Sequence, residues 1–250
     1  PDLILYFNFT KFDNIKTLNQ RLKKNKSKVD KDYFNFLKHI EKQKIPSTEI
    51  IFQFPIYLGE KNLARHIQFY ELFKKVQNLS GHIADVGTWK GSSMIFMSKL
   101  VNILENNSGT RVYGFDWFKG HVQGKNDKKE HEGKYKSSYL DLKKNIKMLK
   151  LDNTKIIKID LVKNLKNFFS QNKWLRFKYV FIDCGTEKVL ENAVPLFWSR
   201  LLKNGVMILD HYNNPTSPSE SNIIDNVIGN NSIEKFYFSD HPSEFIIKKK

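Results

Sequence analysis

Residues 84–93 read ADVGTWKGSS and place two glycines around a tryptophan shortly after an acid. A strand-like run ends at Val86, and a helix-length segment begins after Gly91. Glycines in a strand–turn–helix unit let a ligand approach the backbone closely. The segment therefore predicts either the first turn of a nucleotide-binding α/β fold or an ordinary tight turn of the same shape.

The chain after residue 81 alternates strand-like and helix-like segments. Five short apolar runs predict parallel strands: HIADVG, RVYGFD, KIIKID, KYVFID and VMILDH. Helix-length segments lie between them, at 92–105, 137–149, 164–171 and 187–202. Two further runs, IEKFYFS and EFIIKKK, are joined by a short proline-containing turn and predict a C-terminal antiparallel hairpin. The fold class is therefore α/β, with a doubly wound, mostly parallel seven-stranded sheet.

Length and composition limit the domain organisation. The 250 residues suffice for one α/β domain with an added helical segment, so we expect a helical extension at 1–60 and a main domain at 61–250. An amphipathic helix at 30–44 would pack on the main domain or on a second copy of the chain, or gate the active site. No run approaches the roughly 20 apolar residues of a membrane span. The single cysteine, Cys184, fits a reducing, cytoplasmic compartment.

The net charge of +16 raises the question of a nucleic-acid partner. Only five of the 42 cationic residues are arginines, and the lysines are scattered along the chain. Arginine is the residue that forked phosphate and base recognition favours. We therefore expect the excess of lysine to reflect a compositional bias rather than a nucleic-acid partner, and an anionic substrate or a membrane surface is the other alternative.

The predicted parallel strands share an acidic residue at or beside their carboxyl ends. In open parallel sheets, ligands bind beyond these ends, so the acids should converge on one rim. The five acids are Asp85, Asp116, Asp160, Asp183 and Asp210.

The glycine turn excludes two common ligands. A dinucleotide fingerprint would place glycine where Asp85 stands, and a phosphate-cradling loop would follow Gly91 with lysine and then serine or threonine. A ligand that brings positive charge to the acid meets the pattern better, and S-adenosylmethionine carries ammonium and sulfonium groups. Asp116, 25 residues after Gly91, would accept hydrogen bonds from a ribose or would cap the turn that follows it. Trp117 would pack on an adenine or fill the core.

Asp183 and Asp210 are 27 residues apart, which is one strand–helix–strand crossover. Neighbouring strands lie about 4.8 Å apart, and two carboxylates at that spacing repel unless a proton or a cation lies between them. Oxygen ligands suit Mg²⁺, whereas the adjacent His211 suits metals such as Mn²⁺ better. His211 would bind the metal, act as a base, or hydrogen-bond a carboxylate.

The glycine turn, Asp116, the pair Asp183 and Asp210, and the terminal hairpin together carry a resemblance to a known family. On these features, residues 63–211 resemble class I S-adenosylmethionine-dependent methyltransferases. More narrowly, they resemble the macrocin O-methyltransferase-like family, which methylates hydroxyls of sugars and natural products with Mg²⁺. The resemblance implies that Asp116 binds the ribose, and that Asp160 lies near the adenine unless it only caps its strand. It implies metal ligands at Asp183 and Asp210, and His211 stands where the family has a third aspartate. The remaining cofactor contacts that it implies are Asp85, Gly87, Thr88, Gly91, Ser92 and Asp183.

The expected activity is metal-assisted O-methylation of a hydroxylated small molecule or sugar, with Asp183 or His211 receiving the proton. Three alternatives stay open at this point. They are methylation of nitrogen or nucleic acid, a noncatalytic binding subunit, and a nicotinamide-dependent oxidoreductase, which Asp85 disfavours. Methylation of bases usually accompanies a proline-rich loop after the fourth strand, and residues 183–186 read DCGT instead. The charged loop at 119–136 would be a solvated crossover, or a lid that brings His121 or His131 to the acceptor.

Overall fold

The computed structural model describes residues 28–105, 107–121, 133–184, 186–210, 223–227, 233–235 and 244–248. The chain divides into two compact units, the first ending at Arg65 and the second beginning at His66. The domain boundary at residue 60 stays a prediction. Across the ranges given above, no helix has the length and apolar character needed to cross a membrane.

The first unit is helical in its described part. Its helices are α1 (Lys28–Lys42), α2 (Ser47–Phe52) and α3 (Phe54–Tyr57), and α4 (Glu60–Val76) begins before the division between the units. The Tyr33 hydroxyl donates to the Tyr57 carbonyl at 2.7 Å, and the Tyr33 ring leaves no room for a side chain at Gly59. This contact joins α1 to the end of α3.

The second unit contains a seven-stranded sheet in the order β3-β2-β1-β4-β5-β7-β6. Its strands are β1 (His82–Val86), β2 (Val112–Asp116), β3 (Thr154–Lys158), β4 (Phe177–Ile182), β5 (Leu201–Leu209), β6 (Ile233–Lys235) and β7 (Glu244–Ile247). The first five strands pair in parallel, and β7 runs antiparallel to both β5 and β6. The helices of the crossovers are α5 (Ser92–Leu104), α6 (Tyr139–Met148), α7 (Leu165–Gln171) and α8 (Glu187–Arg200). The predicted doubly wound sheet with a C-terminal hairpin is confirmed.

Successive residues of the strands face opposite sides of the sheet, and each side carries its own core. Ile83, Tyr179 and Phe181 lie in one buried cluster with side chains of α4 and α5. Ala84 and Tyr113 lie in the other cluster, with side chains of α7 and α8. The near-continuous apolar strands follow from this burial on both faces.

β5 begins earlier than the sequence pattern predicted. The helix expected at 187–202 ends at Arg200, because Leu201 already has extended backbone angles of φ −72° and ψ 131°. Asn204 then adopts a positive φ of 62°, and the register with β4 shifts between Leu201 and Val206. The polar residues of this bulge look like a loop in the sequence, although the Asn204 amide still donates to the Lys248 carbonyl at 2.6 Å.

Candidate active site

The carboxyl ends of the central strands bring four of the five predicted acids to one rim. Asp85 lies in β1, opposite Gly114 of β2 and Phe181 of β4, and Asp116 is the last residue of β2. Asp183 and Asp210 directly follow the paired residues Ile182 and Leu209 of β4 and β5. The predicted juxtaposition of the ends of these strands is confirmed.

The two glycines of the turn after β1 have positive φ angles, 90° at Gly87 and 88° at Gly91. A Cβ atom at Gly87 would overlap the backbone carbonyl of Asp183, and one at Gly91 would lie 2.5 Å from the Leu142 side chain. The sequence suggested that these glycines make room for a ligand. In the structure they make room for other parts of the chain, the end of β4 and helix α6.

Asp85 is a buried acid, only 2% exposed, whose two carboxylate oxygens differ in their contacts. Its Oδ1 accepts a hydrogen bond from the Ser93 hydroxyl at 2.6 Å, whereas its Oδ2 is buried and has no hydrogen-bond partner. Burial raises the pKa of Asp85 to about 7; the hydroxyls of Ser93 and Thr88 oppose this shift, although the Thr88 hydroxyl donates to the Asp85 backbone carbonyl at 2.9 Å, and the charges of Asp183 and Asp116 add to it. A cationic group at Oδ2 would stabilise the charged carboxylate.

Asp116 connects the two loops on either side of it. Its Oδ2 accepts from the Trp89 amide at 2.7 Å, and its Oδ1 accepts from the Phe118 amide at 2.6 Å. Burial raises the pKa of Asp116, and the backbone amides of Phe118, Trp89 and Trp117 oppose that rise. The structure thus shows the turn-capping role that the sequence allowed. Each carboxylate oxygen keeps a further lone pair, so ribose binding stays a prediction.

The two residues predicted near an adenine have local partners. Asp160 lies two residues beyond β3, and its Oδ1 accepts from the amides of Val162 and Lys163 at 2.9 and 3.1 Å. Trp117 is half-buried, and its indole N–H donates to the Gly120 carbonyl at 2.5 Å. Both residues therefore hold their own loops, and their contact with a cofactor is untested.

Trp89 has a role that no sequence motif indicated. Its indole N–H donates to the Lys136 carbonyl at 3.3 Å, and its own carbonyl accepts from the Ser137 hydroxyl at 2.9 Å. Its ring also meets the edge of Tyr135, with 5.7 Å between centroids. Trp89 therefore ties the glycine turn to the crossover between β2 and α6.

The described ends of the charged loop are held together. Lys119 and Lys136 form an antiparallel bridge, and the His121 amide donates to the Lys134 carbonyl at 2.9 Å. His131 and the rest of 122–132 lie outside the described residues, so the lid stays a prediction.

The predicted metal site is only partly within the described structure. Asp210 is buried and its amide donates to the Ile182 carbonyl at 3.1 Å, which places it beside Asp183. Within the described ranges, no group of three or more His, Cys, Asp or Glu side chains is arranged to hold a metal ion. His211, the third predicted ligand, lies outside these ranges. Two residues of the predicted set therefore follow neighbouring strands at the same rim, and the metal itself stays a prediction.

Comparison with known proteins gives a family and a fold. A family model described as a methyltransferase domain matches residues 84–212, which is more than half of the chain. The chain is similar to the structure of the calicheamicin methyltransferase CalS11, with 15% identity, a TM-score of 0.78, and coverage of 89% of this chain and 94% of that one. An apo structure of CalS11, described as a TDP-rhamnose 3'-O-methyltransferase, gives 16% identity, a TM-score of 0.72, and coverage of 89% and 96%. The structure of the O-methyltransferase NovP has 13% identity and a TM-score of 0.60, and the match covers 75% of this chain and 80% of that one. At these identities the likeness establishes the fold, and no curated protein matches the chain.

Proposed function

Because the chain belongs to the methyltransferase domain family, we propose that it transfers a methyl group from S-adenosylmethionine to a hydroxyl oxygen of a small molecule or a sugar. It is a class I S-adenosylmethionine-dependent methyltransferase, and the matched region spans the whole rim from Asp85 to Asp210. The hydroxyl acceptor is supported by two proteins that share its fold, one described as acting on TDP-rhamnose and one as an O-methyltransferase. The presence of a single cysteine, the buried Cys184, supports a cytoplasmic location.

The observation that carries the placement of the cofactor is the unpaired Oδ2 of Asp85. A buried carboxylate oxygen without a donor is costly, and the ammonium of the methionine end would supply the donor and the opposite charge. In this proposal Gly87, Thr88, Gly91 and Ser92 line the same end. Asp116 accepts from the ribose through its remaining lone pairs. The remaining cofactor contacts of the proposal are Trp117 and Asp160 beside the adenine, and Asp183.

The acceptor would lie beyond β4 and β5. Asp183 and Asp210 provide oxygen donors of the type that Mg²⁺ or Mn²⁺ binds, and His211 completes the proposed set. When bound, the cation would lower the pKa of an acceptor hydroxyl, and S-adenosylmethionine supplies an electrophilic methyl group. Asp183 or His211 would receive the proton as the hydroxyl oxygen attacks the methyl group, and S-adenosylhomocysteine would be the leaving group.

Calorimetric titration with S-adenosylhomocysteine, with and without Mg²⁺ or Mn²⁺, tests the proposal, and NAD serves as the control ligand. We expect binding of S-adenosylhomocysteine and no binding of NAD. Asp183→Asn should lower turnover with hydroxylated acceptors by about 100-fold or more while S-adenosylhomocysteine still binds.

Asp152→Asn is the matched control, since it makes the same change at an exposed acid that precedes β3. It should leave turnover unchanged. Absence of S-adenosylhomocysteine binding would overturn the cofactor site. Full turnover by Asp183→Asn would overturn the role of Asp183 in the reaction. If the chelated, metal-free enzyme turns over as fast as the enzyme with added metal, the reaction needs no cation.

A further inference from the structure

A second buried polar atom without a partner lies on the same face of the sheet as Asp85. The Tyr179 side chain in β4 is completely buried, and its hydroxyl has no hydrogen-bond partner. Tyr179 lies in β4, whose other buried residues are apolar except for Lys178, and neither the predicted chemistry nor the family match gives the Tyr179 hydroxyl a role. An unpaired buried hydroxyl costs free energy, so its presence needs an explanation.

The sheet register places Tyr179 next to Asp85. Tyr179 pairs with Ile83, and Asp85 pairs with Phe181, so Tyr179 and Asp85 occupy diagonal positions on adjacent strands. Both lie on the same face, because side chains two residues apart along a strand point the same way. The distance along the strand is about 6.6 Å, which a tyrosine side chain is long enough to span.

The electrostatics agree with this placement. Burial raises the pKa of Tyr179 well above its usual range, and the charge of Asp85 raises it further. The charge of the Asp85 carboxylate therefore acts on the Tyr179 hydroxyl, although no hydrogen bond joins the two groups.

We propose that the Tyr179 hydroxyl and Asp85 Oδ2 share one buried water molecule, which makes Tyr179 a positioning residue of the cofactor site. A buried water typically makes two to four hydrogen bonds to polar groups that otherwise lack them. Here the hydroxyl and the carboxylate oxygen are two such groups. The inference rests on the proposed function, in which Asp85 receives the cationic end of S-adenosylmethionine.

The two oxygens of Asp85 would then be held from different elements. Ser93 of α5 donates to Oδ1, and the water held by Tyr179 of β4 donates to one lone pair of Oδ2, which leaves the other lone pair for the ammonium of the cofactor. The other groups that face Asp85 are the hydroxyl of Thr88 and the carboxylates of Asp183 and Asp116. Since both of those carboxylates disfavour a charge on Asp85, a donor to Oδ2 keeps Asp85 ionised and ready for a cation.

Tyr179→Phe tests the inference, because it removes the hydroxyl and keeps the ring that fills the core. Tyr113→Phe is the matched control, since Tyr113 is a buried tyrosine on the opposite face of the same sheet. S-adenosylhomocysteine binding is measured by calorimetry for both variants and the unmodified protein. Loss of a donor to the charged form should raise the pKa of Asp85 by about one unit. Tyr179→Phe should therefore bind about fivefold more weakly at about pH 7 and less than about twofold more weakly at about pH 9.

Each outcome decides a different claim. If the unmodified protein does not bind S-adenosylhomocysteine, the proposed function fails. If it binds and Tyr179→Phe behaves like Tyr113→Phe at both pH values, the inference is wrong. An equal loss at both pH values also overturns it, because a merely structural defect would not follow the ionisation of Asp85.

A crystal structure of the unmodified protein decides the matter if Tyr179→Phe does not fold. We expect a water molecule within about 2.7–3.2 Å of both the Tyr179 hydroxyl and Asp85 Oδ2. A direct bond between the two groups, or a dry gap between them, would overturn the inference.

Discussion

Two buried charged groups on the same sheet differ in their hydrogen-bond and ion-pair partners. They are Lys178, near the start of β4, and Asp85, near the end of β1. The Lys178 Nζ atom lies 2.5 Å from the Glu105 carboxylate, and both side chains are buried. It also donates to the Gln77 carbonyl and the Thr110 hydroxyl, each at 3.4 Å. Asp85 receives one hydroxyl hydrogen bond on Oδ1 and none on Oδ2.

This difference in partners indicates that Lys178 contributes to stability and Asp85 to ligand binding. A buried charge that has an opposite charge and further hydrogen bonds is complete within the fold, and its neighbours leave it no capacity for a ligand. A buried carboxylate with an unpaired oxygen and a pKa of about 7 lacks something that the chain does not provide. We therefore expect changes at the amino end of the sheet to affect unfolding, and changes at the carboxyl end to affect binding.

Breaking the satisfied group should have the largest effect. Glu105→Ala leaves the Lys178 ammonium buried without its counter-charge, and should lower the free energy of unfolding by about 3–5 kcal/mol. Urea denaturation measures this change, and binding of S-adenosylhomocysteine to the folded fraction should stay the same. Glu71→Ala is the control, because it removes an exposed partner from the 2.8 Å ion pair with Lys74 and should change stability little. Similar losses in the two variants would contradict the comparison.

Neutralising the unsatisfied group should have the next largest effect. Asp85→Asn keeps the shape of the side chain and the acceptor for Ser93, but removes the charge. We expect the affinity for S-adenosylhomocysteine to fall by about 100-fold, since a hydrogen bond between two charged groups is lost. The free energy of unfolding should stay the same or rise, because a buried charge is no longer desolvated. A large loss of stability with unchanged affinity would show that Asp85, like Lys178, stabilises the fold and does not bind the cofactor.

Titrating the unsatisfied group should have the smallest effect. With a pKa of about 7, Asp85 loses its charge as the pH falls, so affinity for S-adenosylhomocysteine in metal-free buffer should fall about tenfold between about pH 8 and pH 6. Stability should change in the opposite direction. Since the pKa of Asp85 in the folded state lies above its unfolded value, the folded state binds more protons between about pH 4 and pH 7. The contribution of Asp85 to the free energy of unfolding therefore decreases as the pH rises through that range.

Calorimetry and urea denaturation across the pH range measure the two trends, and Asp85→Asn should remove both. A pH dependence of binding that persists in Asp85→Asn would assign the titration to another group.

The sequence predicted the fold well because the fold depends on local patterns. Each parallel strand is a short apolar run that ends near an acid, and the alternation with helices dictates the connections. The spacing of Asp183 and Asp210 was enough to place them after paired strand positions, which the structure confirms. The early start of β5 was missed because the residues of its bulge, 203–205, are lysine, asparagine and glycine, which are common in loops.

The contacts that define the candidate site were less accessible from the sequence. Lys178 and Glu105 are 73 residues apart, and Trp89 meets residues 47 and 48 positions further on, so no local pattern relates them. Tyr179 lies in an apolar, strand-like run, so the sequence pattern gives no sign that its hydroxyl has a role. Only the sheet register and the burial of each atom reveal which polar groups are left unpaired.

Gly87 carries a further consequence for how such chains are recognised. Its backbone meets the carbonyl of Asp183, so the packing of two strands excludes any side chain there, with or without a cofactor. A descendant that had lost the reaction would still need this glycine to fold. The glycine-containing signature is therefore a marker of ancestry, and surviving activity in a distant copy is better judged from Asp85, which folding alone gives no reason to keep.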